Sequence, residues 1–564
     1  MEQDRFKTSF ANNIFRQKYA QGPEDSWDAL SERIVEDVCG TRWGTDRDIL
    51  SKDDQRQLCQ YIKEQKFIPG GRYLYYAGRP YKAYNNCYLL RAEEDTREEW
   101  SAVTQRAMAC LMTGGGIGID YSRLRASGKP LRRTGGKASG PVPLMYAINE
   151  IGRNVMQGGS RRSAIYASLD WQHEDIPLFL KNKNWHDQYI VPGLTHWQAK
   201  QSNFNHNAPL DMTNISVNYN DDIYEGFIAP EEAKAEKLKN NSVFLENCKQ
   251  AMMTGEPGFS FNFGAKRNET LRNACTEVTS EDDSDVCNLG SVNLGNISTL
   301  EEFKSVVQLA SKFLVCGTLR ADLPYEKVYR VREKNRRLGL GLMGIHEWLL
   351  QRGMRYEVTN ELREWLAVYR DESKRAADEH CDRLFINHPV AYRAIAPTGT
   401  IGILASTTTG IEPLFAVAYK RRYLTDGTKW KYEFVVDAVA DRLIREYGLE
   451  PNEIDTAYKL AHDYERRIKF QADIQDYVDM SISSTINLPP WGSKHNNESL
   501  VASFASTLAS YAPRLRGFTC YPDGSRGGQP ITEVSYEEAM KHKDVVFEEN
   551  DVCEITGKGG TCGV

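Results

Sequence analysis

The first residues of this chain, Met1-Glu2-Gln3-Asp4-Arg5-Phe6, lack the apolar core of a targeting signal, and no uninterrupted apolar stretch is long enough to span a bilayer. A charge excess is missing too: 71 basic against 77 acidic residues leave a net charge of −6, which excludes a nucleic-acid surface driven by bulk positive charge. There is no Cys-x-x-Cys pair. The closest cysteines, Cys553 and Cys562, stand 562 − 553 = 9 positions apart, which is far from the ligand spacing of tetrahedral zinc. Twelve cysteines scattered over 564 residues are equally unlike the dense framework of a short secreted protein. What is left, at 41% hydrophobic and 26% charged, is a globular chain with room for one big core with appendages or for two to four domains. It is expected in the cytoplasm, without structural metal, membrane or nucleic acid. In such a reducing compartment, cysteines that can pair serve redox chemistry rather than stability.

One cysteine has chemically distinctive neighbours: Asn273-Ala274-Cys275-Thr276-Glu277. If this stretch is extended, its period of two puts amide, thiol and carboxylate on one face, with Ala274 and Thr276 pointing away. A second thiol follows at Cys287 in Asp285-Val286-Cys287-Asn288-Leu289-Gly290, and a third, Cys87, lies in the apolar run Cys87-Tyr88-Leu89-Leu90, which reads as a buried strand. Each of these cysteines taken alone reads as a small buried hydrophobe.

The chain opens with an amphipathic helix over 10–20 and a second helix from about residue 25, after a Gly-Pro break. Thr113-Gly114-Gly115-Gly116-Ile117-Gly118 forms a glycine-rich turn running into the basic residues Arg123 and Arg125; by itself such a run marks close backbone packing more often than a phosphate cradle. Residues 143–157 have helical spacing and end at Gly158-Gly159-Ser160-Arg161-Arg162, either a helix cap followed by solvated charge or a mobile ligand loop. The glycines of Leu338-Gly339-Leu340-Gly341-Leu342 suit a strand where backbones approach closely. Ala396-Pro397-Thr398-Gly399-Thr400 can present hydroxyls and backbone N–H groups to an anion, or can be an ordinary helix cap. The C-terminus, from 531, turns acidic and then glycine- and lysine-rich around Cys553 and Cys562, the composition of a flexible arm.

In this order and combination the stretches resemble the ribonucleotide reductases, and within them the adenosylcobalamin-dependent class II. The resemblance implies an α/β fold: a ten-stranded α/β barrel of two antiparallel five-stranded half-barrels with a central finger loop, plus an N-terminal helical cap. It divides the chain into a helical region at 1–65, a barrel at 66–530 with effector and dimer helices near 95–165, and a redox tail at 531–564, and leaves no room for an N-terminal ATP cone. It implies that Cys275 becomes a thiyl radical, that Glu277 is the general base, that Asn273 orients the substrate hydroxyls, and that Cys87 and Cys287 supply the reducing electrons. The tail thiols Cys553 and Cys562 would recharge that pair from a thioredoxin-like donor. Asn86, Thr398, Gly399 and Thr400 would bind the ribonucleotide substrate; Asp95, Arg125, Gln157 and Arg161 would bind a deoxynucleotide effector; the enzyme would be a homodimer. The region matching the family's radical relay, Arg516 to Arg526, has Tyr521 alone rather than a tyrosine pair, which favours adenosylcobalamin over a separate radical-generating subunit. Outside the family, the competing reading is a non-catalytic nucleotide-binding regulatory protein, which leaves the five cysteines without a role.

Overall fold

A computed structural model of the chain describes residues 5–41, 47–155, 164–203, 206–224, 231–425, 429–525, 531–542 and 546–548. Its centre is a ring of strands. One half consists of β1 (Cys87–Arg91), β2 (Gly116–Asp120), β3 (Ile165–Asp170), β4 (Thr213–Asn220) and β5 (Gly258–Asn262), each parallel to the next. The other half starts with β6 (Asp285–Asn293) and its parallel neighbour β7 (Leu338–Met343), and ends with the parallel pair β8 (Thr485–Leu488) and β9 (Gly517–Pro522). Between them, the extended segment 391–396 bridges Leu340 through Arg393 and Ile482 through Ile395, both in parallel sense. The halves run against each other, β6 antiparallel to β1 and β9 antiparallel to β5, so the ring of five plus five closes. Closure leaves no edge strand and gives the barrel an inside.

The elements follow local chemistry. Thr8, Ser26 and Ser51 accept backbone N–H bonds at the starts of the helices Ser9–Lys18, Trp27–Cys39 and Lys52–Lys63, and Thr96 and Asn241 do the same for Arg97–Met112 and Ser242–Thr254. β1 and β6 are buried along their whole length, as expected where both faces of a sheet are covered. The three N-terminal helices pack onto the barrel: Phe15, Leu30, Leu58 and Ile62 belong to the same hydrophobic core as the barrel strands.

Two expectations change here. The glycine-rich run at 114–118 is only partly a turn: from Gly116 it is strand β2, and a Cβ at Gly118 would lie 1.7 Å from the Arg272 carbonyl oxygen. Glycine is required there because another backbone passes against the strand. The segment expected to be an arm from 531 is structured at its start: Ile531–Glu533 and Val546–Glu548 are the edge strands of a four-stranded sheet built on the hairpin Ala418–Thr425 and Lys429–Val436. Among the described residues no helix is long and apolar enough to cross a membrane.

Candidate active site

The backbone that passes β2 is a narrow hairpin inside the barrel. Leu271–Arg272 pairs antiparallel with Thr279–Ser280, and Asn273 to Glu277 form its tip. The tip is a turn, not the extended stretch expected from period two: Thr276 has φ 68°, and the reversal of the chain replaces alternation as the device that gathers the side chains. Arg272 anchors the base. It is fully buried, and its guanidinium donates to the Asn262 Oδ1 (2.7 Å) and to the Arg516 carbonyl (3.2 Å). Beside it Glu269 is held down at about 2: burial pushes it up, but Arg516, Arg337 and Lys266 outweigh that.

At the tip, Asn273 and Glu277 are buried while Cys275 is exposed, and all three line one cavity of about 270 Å³. Cys87 enters the same cavity from the start of β1. It is buried, accepts a hydrogen bond from Asn273 Nδ2 (3.0 Å), and donates its S–H to Glu277 Oε1 (3.8 Å). Asn273 Oδ1 in turn accepts the Val278 N–H (2.9 Å), which fixes the amide's orientation. Glu277 Oε2 and Asn86 Oδ1 are buried without a hydrogen-bond partner, and both residues line the cavity. Buried acceptors of this kind are costly unless something fills them.

Burial pushes the Glu277 carboxyl up to about 7, against smaller opposing effects of hydrogen bonds from Asn273, its own backbone and Cys87. Cys87 is held well above the ordinary thiol range by burial, then by the nearby Glu277 and Cys287; Cys287 is raised likewise by burial, then by Asp285 and Glu277. Both are neutral thiols at physiological pH. Two hundred positions apart in sequence (287 − 87 = 200), they are direct cross-strand partners in the β1–β6 ladder. Directly opposed residues of an antiparallel pair have Cβ atoms about 5 Å apart, within a small adjustment of disulfide geometry. Cys287 does not line the cavity; it lies beneath Gly339, where a Cβ would come within 3.1 Å of its sulfur.

The opposite wall is the turn 397–401. Thr398, Gly399 and Thr400 all line the cavity at the start of the helix Gly399–Ala405. Thr398 does not cap that helix: its hydroxyl accepts the Gly410 N–H (2.8 Å) and so ties the Thr-Gly-Thr turn to Gly410-Ile411-Glu412. Glu412 is itself fixed by the Thr485 N–H (3.0 Å) and an ion pair with Arg467. Three polar lining residues had no site role from the sequence: Tyr19, Arg72 and Ser291. Arg72 is brought there because Phe67–Pro69 pairs with β6 and Gly70 N–H bonds the Leu289 carbonyl (2.8 Å). The Gly70-Gly71-Arg72 sequence was the available clue for that wall.

Asp95 and Arg125 meet in an ion pair beside a separate cleft of about 1150 Å³ that also carries Arg97, Lys129, Arg132 and Arg133. Gln157, Arg161, Cys553 and Cys562 lie outside the described residues.

A family profile described as "Ribonucleotide reductase, barrel domain" matches residues 85–365 and 389–520. Among curated relatives, the "Vitamin B12-dependent ribonucleoside-diphosphate reductase" of Mycobacterium tuberculosis (strain CDC 1551 / Oshkosh) is 25% identical over 534 residues, 86% of this chain and 74% of the relative. The protein of the same name from Thermoplasma acidophilum is 25% identical over 532 residues, 86% of this chain and 67% of its own. A "Putative adenosylcobalamin-dependent ribonucleoside-triphosphate reductase" of Mycobacterium phage D29 is 26% identical over 502 residues, 74% of this chain and 68% of the relative.

Proposed function

The chain belongs to the ribonucleotide reductase barrel family, and on that basis we propose that it converts ribonucleotides to 2′-deoxyribonucleotides through a thiyl radical at Cys275, started by adenosylcobalamin. The observation that carries this reading is one cavity that joins Cys275, Glu277, Asn273 and Cys87 to the Thr398–Thr400 turn, with unsatisfied acceptors on Glu277 and Asn86.

In this reading the Thr398–Thr400 turn holds the substrate phosphates and Asn86 and Asn273 orient the ribose hydroxyls. Cys275 takes the hydrogen from C3′. Glu277, with its carboxyl near 7, exists in both protonation states at neutral pH and accepts the 3′-OH proton on the open Oε2. Cys87, kept neutral by burial, delivers the proton with which the 2′-hydroxyl leaves as water. Cys87 and Cys287 together give two electrons and two hydrogens: the C2′–O bond breaks, a C2′–H bond and an S–S bond form, Glu277 returns its proton to the 3′-oxygen, and Cys275 returns the borrowed hydrogen to C3′. Cys553 and Cys562 then reduce the disulfide by thiol exchange and are recharged by a thioredoxin-like protein.

The surroundings of Cys275 fit an initiator that approaches through the cavity. Gly116, Ala164 and Ala274 line the same cavity, and a Cβ on Gly116 would intrude there, at 3.2 Å from Ala274 Cβ and 3.6 Å from Ala164 Cβ. Adenosylcobalamin, when bound, supplies the first unpaired electron by homolysis of its cobalt–carbon bond. Relay from a separate radical subunit has less support: Tyr75 and Tyr76 contact each other, with ring centroids 4.9 Å apart, on the short helix Gly71–Tyr76, and neither they nor Tyr521 line the cavity. The cleft beside Asp95 and Arg125 suits a deoxynucleotide effector. The helix Val142–Asn154 suits a dimer contact, since Tyr146 on it and Met108 and Met112 on the adjoining helix Arg97–Met112 leave apolar surface exposed.

The test is direct: purified chain, ribonucleotide, dithiothreitol and adenosylcobalamin are expected to give the deoxyribonucleotide. Product formed only after a radical-generating subunit is added overturns the cobalamin assignment. No product under either condition overturns the reading as a whole.

A further inference from the structure

The helix Ser9–Lys18 lies along the helix Gly399–Ala405, its start near the other's end: the Thr8 hydroxyl is 3.5 Å from the Ser406 hydroxyl. Its far end carries Tyr19 to the wall of the cavity that Thr398, Gly399 and Thr400 line. Tyr19 is 5% exposed and packed tightly: a Cβ at Gly71 would lie 2.9 Å from its hydroxyl oxygen. Gly399 on the same turn faces open space, with nothing within 4 Å of where a Cβ would stand. The phosphate end is therefore open at the turn and walled by an N-terminal tyrosine. Arg72 is the one basic side chain among the described residues lining the cavity, and its guanidinium donates to the Ala83 and Thr113 carbonyls, so the lining supplies little positive charge to meet a further phosphoryl group.

We infer that Tyr19 is a specificity-determining residue that ends the phosphate subsite, so that the site takes nucleoside diphosphates and turns away the third phosphate. This rests on the reductase reading above and adds to it a substrate class and a residue from outside the barrel. The ring supplies the wall. The hydroxyl is the hydrogen-bonding group at the terminal phosphate.

Tyr19→Phe and Tyr19→Ala separate those two parts. Turnover of CDP and of CTP is measured for both variants and the wild type, together with equilibrium binding of CDP and CTP to the same proteins. Wild type is expected to favour CDP. Tyr19→Phe, which keeps the ring and its packing, should raise KM and Kd for CDP about tenfold with kcat little changed, the scale of one hydrogen bond to a charged group. Tyr19→Ala should lower the CDP-over-CTP preference by about tenfold or more. Preference of the wild type for CTP, or equal losses for both nucleotides in both variants, would overturn the inference and leave Tyr19 as packing alone. If no nucleotide is reduced by any of the proteins, the proposed function fails, and the binding ratios still decide the role of Tyr19.

Discussion

Replacing Glu277 by Gln should cost activity and add stability, and the added stability should depend on pH in a direction the structure fixes. The carboxyl is pushed from an ordinary 4.5 up to about 7 by burial. The folded state therefore binds its proton more tightly than the unfolded state. This group's contribution to stability is greatest below 4.5, falls as pH rises from there through about 7, and is flat above. The gap corresponds to roughly 3 kcal/mol of destabilisation once Glu277 is ionised in both states, and to less than about 1 kcal/mol at pH 5. Gln mimics the neutral acid: its oxygen can keep the contact with Cys87, and its amide stands where Oε2 now has no partner. Urea unfolding of wild type and Glu277→Gln at pH 5 and pH 8.5 should show a small difference at the lower pH and an advantage for Gln of about 2–3 kcal/mol at the higher. Over the same range kcat should drop by about 10²–10⁴, the usual size of a lost general base. A stability difference that is the same at both pH values would mean that Glu277 enters the fold as an ordinary ionised carboxylate.

Cys275→Ser should abolish product, with residual turnover under about one per cent, and leave nucleotide binding nearly intact, since it removes the hydrogen abstractor and no phosphate contact; appreciable turnover would move the radical elsewhere. Cys553→Ser and Cys562→Ser should each stop multiple turnovers supported by thioredoxin while sparing one turnover of pre-reduced enzyme, with partial rescue by dithiothreitol; Cys87→Ser or Cys287→Ser should show no rescue, and normal turnover of the tail variants with thioredoxin would remove the tail from the cycle. Gly118→Ala, whose new Cβ would meet the Arg272 carbonyl, should shift the hairpin and reduce kcat by tenfold or more, and unaltered kcat would mean that the hairpin tip tolerates displacement. Light scattering should report a dimer whose dissociation follows charged substitution of Tyr146 or Met112, and a monomer with and without effector would count against that contact.

Features that depend on near neighbours are legible in the residues alone. Ser26 announces a helix start because its side-chain oxygen caps an N–H three residues on, and the apolar run at Cys87 announces a buried strand. Asn273, Cys275 and Glu277 meet because five consecutive residues cannot separate far, although a tight turn gathers them where an extended strand had been expected. The remaining features come from long-range packing. Cys87 faces Cys287 because closure of the barrel sets β1 against β6, a register that no local pattern specifies. Tyr19 and Arg72 reach the cavity through packing of the N-terminal helix and pairing of a three-residue strand, contacts spanning hundreds of positions. The carboxyl of Glu277 acquires its working proton affinity from burial inside the barrel, a property of what surrounds the residue and not of the residue itself.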